Sequence, residues 1–284
     1  MTVLEVIQRS TEYLAKRGVE SPRLQTELLL AHVLKLPRLK LYLNFDRPLA
    51  ESEVEATRTL VKRRGQREPL QHLTGSTSFC GYEILVGPQA LIPRPETEVL
   101  AEQAWLWLAG RAAGPLSVLD FGTGTGCLAI ALAVHVPAAR VLALDVSAEA
   151  LELARRNAVA NQLGDRIEFL MSDGFAALPS GVQFDLIVTN PPYIASVEVG
   201  ALEPEVRDYD PRLALDGGSD GLDFYRRLAA EGQRFLRARG RLMAEFGDDQ
   251  AEAIRGLFEA QGWPVLELIP DLSGRLRLIT AGAD

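Results

Sequence analysis

Cysteine is scarce in this chain: Cys80 and Cys127 are the only two among 284 residues. They stand far apart in sequence, with no cluster of His or Cys beside either. That argues against a disulfide framework and a zinc site, so no metal is expected, and it fits a reducing, cytoplasmic setting. Long apolar runs are missing too. None approaches the roughly 20 residues that span a bilayer, so no membrane partner is expected. The opening stretch, MTVLEVIQRSTEYLAKRG, carries charges inside its apolar pattern and no cleavage signature, so no signal peptide is expected. Histidine is limited to His32, His72 and His135. All three lie outside the motifs described below and read as structural or surface residues. Positive charge is in deficit, with a net charge of -8. A chain that lives on nucleic-acid phosphates is usually basic, and no direct nucleic-acid contact is expected. The deficit is uneven. Residues 1–75 hold thirteen Lys and Arg against nine Asp and Glu, and the remainder holds 17 against 29. A mildly basic head on an acidic body points weakly to a macromolecular partner for the head, although a solvated helix surface explains the charge equally simply.

What is present is ordinary globular composition, 47% hydrophobic and 24% charged, enough for one large domain or two smaller ones. Residues 1–75 read as a small helical bundle. Val3, Ile7, Tyr13 and Leu14 fall at helical spacing. Ser21-Pro22 reads as a cap followed by a first-turn proline, and a third helix is predicted from about Glu51 to Arg64. TSFCGYEILVG, within residues 76–93, predicts a β-hairpin linking two domains. From residue 94 the texture changes. Pro95 opens a helix whose first turn holds Glu96 and Glu98, where the helix dipole favours acids. Predicted strands follow at 116–121, 140–146, 167–171, 184–189, 240–246, 265–269 and 275–280, with helices such as 148–161 between most of them. This alternation predicts a doubly wound α/β sheet.

The sharpest local motif is VLDFGTGTGCLAI, residues 118–130. A buried strand ends and Gly122, Thr123, Gly124, Thr125 and Gly126 follow, before a helix opens. Glycines let a ligand approach the main chain, and in open α/β sheets ligands sit beyond the carboxyl ends of the strands. The spacing is one residue short of the dinucleotide fingerprint G-x-G-x-x-G, and no Gly-Lys-Ser/Thr follows, which excludes a Walker loop. The next strand ends in Asp145, placed to accept both hydroxyls of a ribose. A tight glycine loop with this acid suits S-adenosylmethionine, which has no pyrophosphate to cradle. At the end of the third strand lies MSDGF. Asp173 is expected to reach the adenine amino group, with Gly174 beside it and Phe175 over the ring. A plain turn residue and a core aromatic are the competing readings for Asp173 and Phe175.

The fourth strand, FDLIVT, runs directly into Asn190-Pro191-Pro192-Tyr193. A turn needs neither an amide nor an aromatic ring around two prolines; a site that grips a planar –NH2 does. The Asn190 side-chain oxygen can accept one N–H and the Pro191 carbonyl the other. Pro192 stiffens the backbone so that the acceptors converge, and Tyr193 packs against the planar group. Such a nitrogen has a delocalised lone pair. Holding both protons orients that lone pair and stabilises the charge that develops.

On these blocks the chain resembles the PrmC/HemK family of bacterial methyltransferases. SPRLQTELLL (21–30) is similar to that family's helical head. LIPRPETE (91–98), the glycine loop, Asp145, NPPYI and EPEVRDYDPRLALDGGSDGLDFYRRL (203–228) are similar to its other blocks. The resemblance implies a class I S-adenosylmethionine-dependent methyltransferase: a Rossmann-like, mostly parallel seven-stranded sheet with a small N-terminal helical bundle and a linking hairpin. It implies transfer of a methyl group to the side-chain amide of the glutamine in the Gly-Gly-Gln motif of class-1 peptide chain release factors. Gly122–Gly126, Asp145 and Asn190 would then bind the donor, Asn190–Tyr193 would hold the acceptor amide, and the head would contact the release factor. Arg94 reads as a residue at the lip of the site. Gly174 and Phe246 depart from the family pattern, and both are expected at the edge of the donor pocket. A ribosomal-protein glutamine methyltransferase, a DNA adenine methyltransferase and a binding module without catalysis are the alternatives.

Overall fold

The computed structural model describes residues 1–111 and 114–282. They fall into two compact units. The first comprises Met1–Ser76 together with the distant segment Glu203–Tyr209; the second comprises Thr77–Leu202 and the residues from Asp210 onward. All of the hairpin but Ser76 therefore falls in the second unit, and a short piece of the 203–228 block belongs with the first.

The head contains α1 (Val3–Ala15), α2 (Pro22–Leu34), α3 (Arg38–Tyr42), α4 (Glu51–Gly65) and α5 (Leu70–Thr74). Thr2 and Glu5 form a capping box that starts α1, each side chain accepting from the other's backbone N–H. Ser21 does not cap α2. Its backbone is left-handed (φ 44°) and its side chain makes no cap bond, so Pro22 alone supplies the start. The helices α3 and α5, five residues each, were too short to show a period in the sequence. One apolar cluster joins Val3, Val6, Ile7, Leu30, Leu41 and Leu49, and a second joins Leu14, Val19, Leu29, Val61 and Leu73.

A charged knot ties the segment Glu203–Tyr209, including α9 (Pro204–Arg207), into this unit. Arg64 Nη2 and Arg67 Nε both donate to Glu205 Oε1 at 2.6 Å, and Arg67 Nη2 donates to Glu203 Oε2 at 2.8 Å. Arg64 is 5% exposed along its side chain. Burial pushes the Glu205 carboxyl up, but Arg67 and Arg64 outweigh it and hold the group below its ordinary range.

The hairpin, β1 (Ser76–Phe79) and β2 (Tyr82–Leu85), leads into the second unit, which begins at Thr77. Cys80 and Gly81 both have positive φ, as a two-residue type I′ turn requires, and Glu98 accepts from the Cys80 N–H at 2.7 Å. The main sheet contains β3 (Leu116–Phe121), β4 (Ala139–Asp145), β5 (Ile167–Met171), β6 (Phe184–Thr189), β7 (Leu236–Glu245), β8 (Val265–Pro270) and β9 (Leu276–Gly282). Their order is β5-β4-β3-β6-β7-β9-β8, parallel from β5 to β7 and antiparallel thereafter. Flanking helices are α6 (Pro95–Ala109), α7 (Cys127–His135), α8 (Ala148–Ala160), α10 (Asp223–Glu231) and α11 (Ala251–Ala260). All six residues of β6 are buried, the unbroken pattern of a strand covered on both faces. Its one charge, Asp185, is met by the Ser117 N–H at 2.8 Å and by Arg237 at 2.6 Å. β7 begins four residues earlier than the sequence predicted, across a register shift in its pairing with β6. Among the described residues no helix is long and apolar enough to cross a membrane.

Removing the Glu205 carboxylate leaves the buried Arg64 guanidinium short of a partner. Glu205→Ala is expected to lower stability in urea unfolding by roughly 1–3 kcal/mol, the lower end reflecting partial exposure. Glu203, 77% exposed along its side chain, is the control. Glu203→Ala is expected to change stability by less than about 0.5 kcal/mol.

Candidate active site

The strand order reverses between β3 and β6, and the two motifs singled out in the sequence emerge there side by side. β3 and β6 pair in parallel from Val118↔Leu186 to Asp120↔Val188. Beyond the pairing, Thr189 Oγ1 donates to the Phe121 carbonyl at 2.7 Å and ties the two strand ends together.

On the β3 side, Gly122, Gly124 and Gly126 have φ of 73°, 54° and 82°. A Cβ at Gly122 would meet nothing within 4 Å, while one at Gly126 would stand 3.1 Å from Ala154 Cβ on α8. The first glycine thus faces open space and the third lets α7 and α8 approach. Asp145, at the end of β4, accepts from the Gly124 N–H at 2.9 Å through Oδ2 and from the Ser147 N–H at 2.9 Å through Oδ1. An open glycine cradle with a carboxylate at its rim fits an adenosyl group and its ribose. Thr123 and Thr125 are buried, and the Thr123 hydroxyl donates inward to Asp120 at 2.6 Å. Their side chains brace the loop, leaving its main chain as the part a ligand can approach.

At the end of β5 the arrangement differs from the sequence expectation. Phe175 is buried, stacked on Phe235 at 4.8 Å and tilted against Phe121 at 4.9 Å. With its ring packed between two others it is a core residue, not a cover for a ligand. Asp173 is exposed and held by Arg227, whose Nη1 donates to its carboxylate and whose Nη2 donates to its carbonyl, each at 2.6 Å. Gly174 has φ 58°, and a Cβ there would fall 2.2 Å from Arg227 Cζ. The departure at Gly174 is therefore coupled to Arg227, which fills the space a larger side chain would take. Phe246, expected at the pocket edge, is fully buried in the same apolar cluster as Tyr225, Ile254 and Phe258, against which Tyr193 also packs.

On the β6 side, Asn190 Nδ2 donates to Thr97 Oγ1 at 3.0 Å. Pro191 is buried, and Pro192 and Tyr193 are half-buried. The backbone here is braced by segments remote in sequence. Gln250 Nε2 donates to the Tyr193 carbonyl at 2.9 Å, and Ile194 bridges to Asp216. A Cβ on Gly217 would lie 2.7 Å from the Pro192 carbonyl, and one on Gly221 would lie 2.3 Å from that of Tyr193. The Asp216-Gly217-Gly218 stretch, read from sequence as a turn, is the back wall of the acceptor motif. Burial pushes the Tyr193 phenol up to about 12, so it is neutral at any working pH. Arg94, the expected lip residue, donates to the buried Asp210 at 2.6 Å and so pins the start of that same wall.

Three site residues escaped the sequence reading. Asn157 is fully buried and accepts from Leu85 N–H at 2.7 Å while its Nδ2 donates to the Thr125 and Leu85 carbonyls, tying the hairpin, glycine loop and α8 together. Asp120, 0% exposed, accepts from Thr123 and from the Ala129 N–H at 3.2 Å, and its Oδ1 has no partner. Glu245, at the end of β7 and 1% exposed, has an unpartnered Oε2. Burial pushes both carboxyls up to about 7, against hydrogen bonds to Asp120 from Thr123 and to Glu245 from Thr97 and Asn190. The only sequence signal for either acid was its position at the end of a strand. Among the described residues, no group of His, Cys, Asp and Glu is arranged to hold a metal.

The fold and this pair of facing strand-end motifs define a class I S-adenosylmethionine-dependent methyltransferase. Residues 5–75 match the family described as PrmC N-terminal domain, and residues 108–203 match the methyltransferase small domain. A release factor glutamine methyltransferase of Geobacter sulfurreducens is 47% identical over 263 residues, covering 92% of this chain and 90% of that protein. Another from Chlorobaculum tepidum is 44% identical, covering 90% and 89%. The hMettl16 catalytic domain, solved with an RNA hairpin, superposes with a TM-score of 0.56 at 18% identity over 82% of each chain, a likeness of fold. The chain belongs to the release factor glutamine methyltransferase family.

The folded protein keeps protons on Asp120 and Glu245 that an unfolded chain releases near pH 4. A folded pKa raised to about 7 contributes stability that is complete below the unfolded value and is lost as pH rises through 7. Stability is therefore expected to fall between pH 5 and 7, by at most about 1.4 kcal/mol per pH unit for each group. Asp271, drawn down to about 2 by the Ser273 hydroxyl, titrates below that window. Urea unfolding at pH 5, 6, 7 and 8 measures the slope, and Asp120→Asn is expected to reduce it.

Proposed function

We propose that this protein transfers a methyl group from S-adenosylmethionine to the side-chain amide nitrogen of the glutamine in the Gly-Gly-Gln motif of class-1 peptide chain release factors. The observation that carries this reading is the adjacency of an open glycine loop and an Asn-Pro-Pro-Tyr acceptor on paired strands β3 and β6. The extent and level of identity to the family's curated members support the particular substrate. The match of residues 5–75 to the family's N-terminal domain, together with their positive charge balance, supports a role for the head in contacting the release factor. A cytoplasmic setting follows from that substrate.

Each side of the site has a distinct task. The bound donor supplies an electrophilic sulfonium methyl. The main chain of Gly122–Gly126 lets the donor approach, and the Asp145 carboxylate accepts from its ribose hydroxyls. Asn190 Oδ1 and the Pro191 carbonyl accept the two N–H protons of the substrate amide, and Tyr193 packs along its plane. This grip fixes the direction of the nitrogen lone pair and disperses positive charge as the bond to carbon forms and the methyl's bond to sulfur breaks, with S-adenosylhomocysteine as the leaving group. One of the two protons then leaves to water. An amide protonated on nitrogen is a strong acid, so no strong base is needed at this step. The neutral Tyr193 and the absence of a histidine from the motif accord with that.

Purified protein, labelled S-adenosylmethionine and an unmodified release factor are expected to yield one methyl on the Gly-Gly-Gln glutamine, located by peptide mass spectrometry. Asn190→Ala is expected to lower the rate by about 100-fold or more, the scale of losing one transition-state hydrogen bond. An untouched glutamine despite measured donor binding would reject this substrate and direct the search to ribosomal protein and DNA.

A further inference from the structure

Asparagine is symmetric in shape but not in chemistry. Its Nδ2 carries two donors and its Oδ1 only accepts, so a rotation of 180° about the last bond reverses what it offers. Gripping a substrate –NH2 requires Oδ1 to face the acceptor. At the end of β6 nothing in the Asn-Pro-Pro-Tyr backbone enforces that choice, and the side chains around Asn190 must do so.

Two buried side chains from other elements are placed for it. Thr97, 3% exposed in the first turn of α6, accepts from Asn190 Nδ2 at 3.0 Å. Glu245, 1% exposed at the end of β7, has its carboxyl within hydrogen-bonding reach of both Thr97 and Asn190. The Thr97 hydroxyl has a single proton. Given to the Glu245 carboxyl, that proton leaves the Thr97 oxygen able only to accept, so the group opposite must be an N–H. Carrying its own proton on the unpartnered Oε2, the carboxyl likewise presents only an acceptor oxygen to the pair. Turning Asn190 over would set its oxygen against two acceptors. Glu245 gives little back to the fold: it is a buried acid with one oxygen unpartnered, a group that an apolar residue would replace without loss of packing.

We infer that Thr97 and Glu245 are positioning residues that lock the Asn190 amide with Nδ2 inward, leaving Oδ1 as the arm presented to the acceptor amide. The inference rests on the functional reading above for the identity of the acceptor, but the lock itself is a property of the unliganded protein. The two are therefore tested separately.

The chain has four asparagines, Asn44, Asn157, Asn161 and Asn190. Selective 15N labelling of asparagine gives a side-chain NMR spectrum simple enough to assign, with the Asn190 pair identified by its loss in Asn190→Ala. In the wild-type protein this pair is expected to exchange slowly with solvent. Thr97→Val and Glu245→Gln are expected to speed its exchange at least tenfold, and Thr97→Ser, which restores the hydroxyl, to return it towards wild type. With an unmodified release factor, Thr97→Val and Glu245→Gln are expected to lower kcat by 10- to 100-fold. KM for the release factor and Kd for S-adenosylmethionine are expected to stay within twofold, with Thr97→Ser again near wild type. Unchanged exchange in both Thr97→Val and Glu245→Gln overturns the lock, as does a loss in Thr97→Val that Thr97→Ser fails to restore, since packing would then be its cause. A wild-type protein that leaves the glutamine untouched defeats the functional reading alone, and the exchange measurement still decides the lock.

Discussion

The parallel pairing of β3 with β6 is the constraint on which this molecule turns. Neighbouring strands in a sheet lie about 4.8 Å apart, and that spacing sets how closely two strand-end motifs can approach. Residues 122–126 and 190–193 are more than sixty positions apart in the chain, yet they leave the sheet from adjacent strands, joined at the rim by the Thr189 hydroxyl on the Phe121 carbonyl. The order β5-β4-β3-β6-β7 makes this the point where the chain reverses its direction across the sheet, the place where open α/β folds leave a crevice. Buried residues along β6 and the apolar helices on either face hold the pair in register, so the distance between donor loop and acceptor motif is a property of the core.

Polar groups that the core would be more stable without gather at this same rim. Asp120 and Glu245 are buried carboxyls, each with one unpartnered oxygen, at the ends of β3 and β7. Asp185, also on a buried strand but remote from the rim, has its Oδ2 met by both the Ser117 N–H and Arg237. The contrast separates a charge that an ion pair compensates from two acids that burial keeps protonated. Local departures from apolar packing are expected where a site must keep unspent hydrogen-bonding capacity.

The acceptor motif is rigid for reasons that lie outside it. Two prolines restrict the local backbone, but Gly217, Gly221 and Gln250 close on the main chain of residues 192–193 from two other segments. Glycine is required at 217 and 221 because any Cβ there would enter a carbonyl oxygen. Arg94 secures the beginning of this wall through Asp210, and so a residue read as a lip proves to be a fastening.

Much of this was legible in the residues themselves. Period and punctuation located the helical head, the hairpin and all seven strands of the sheet, because apolar alternation and turn residues act over a few positions. The glycine loop, Asp145 and Asn190–Tyr193 were visible because each motif is contiguous and sits at a strand end. Where local pattern was thin it misled or stayed silent. Ser21 looked like a cap and is left-handed, and the five-residue helices had no period to show. Phe175 looked like a ligand cover and is packed between two phenylalanines. The roles of Thr97, Asn157, Glu245 and the brace from 217–221 were not legible in the sequence, since their significance lies in neighbours on other elements. The sequence by itself determined which segments become strands and which short motifs stand at their ends, for those outcomes depend on neighbours along the chain. Only the tertiary structure decided which strand ends meet, which way Asn190 turns and which acids stay protonated, because strand order, hydrogen-bond direction and desolvation depend on neighbours in space.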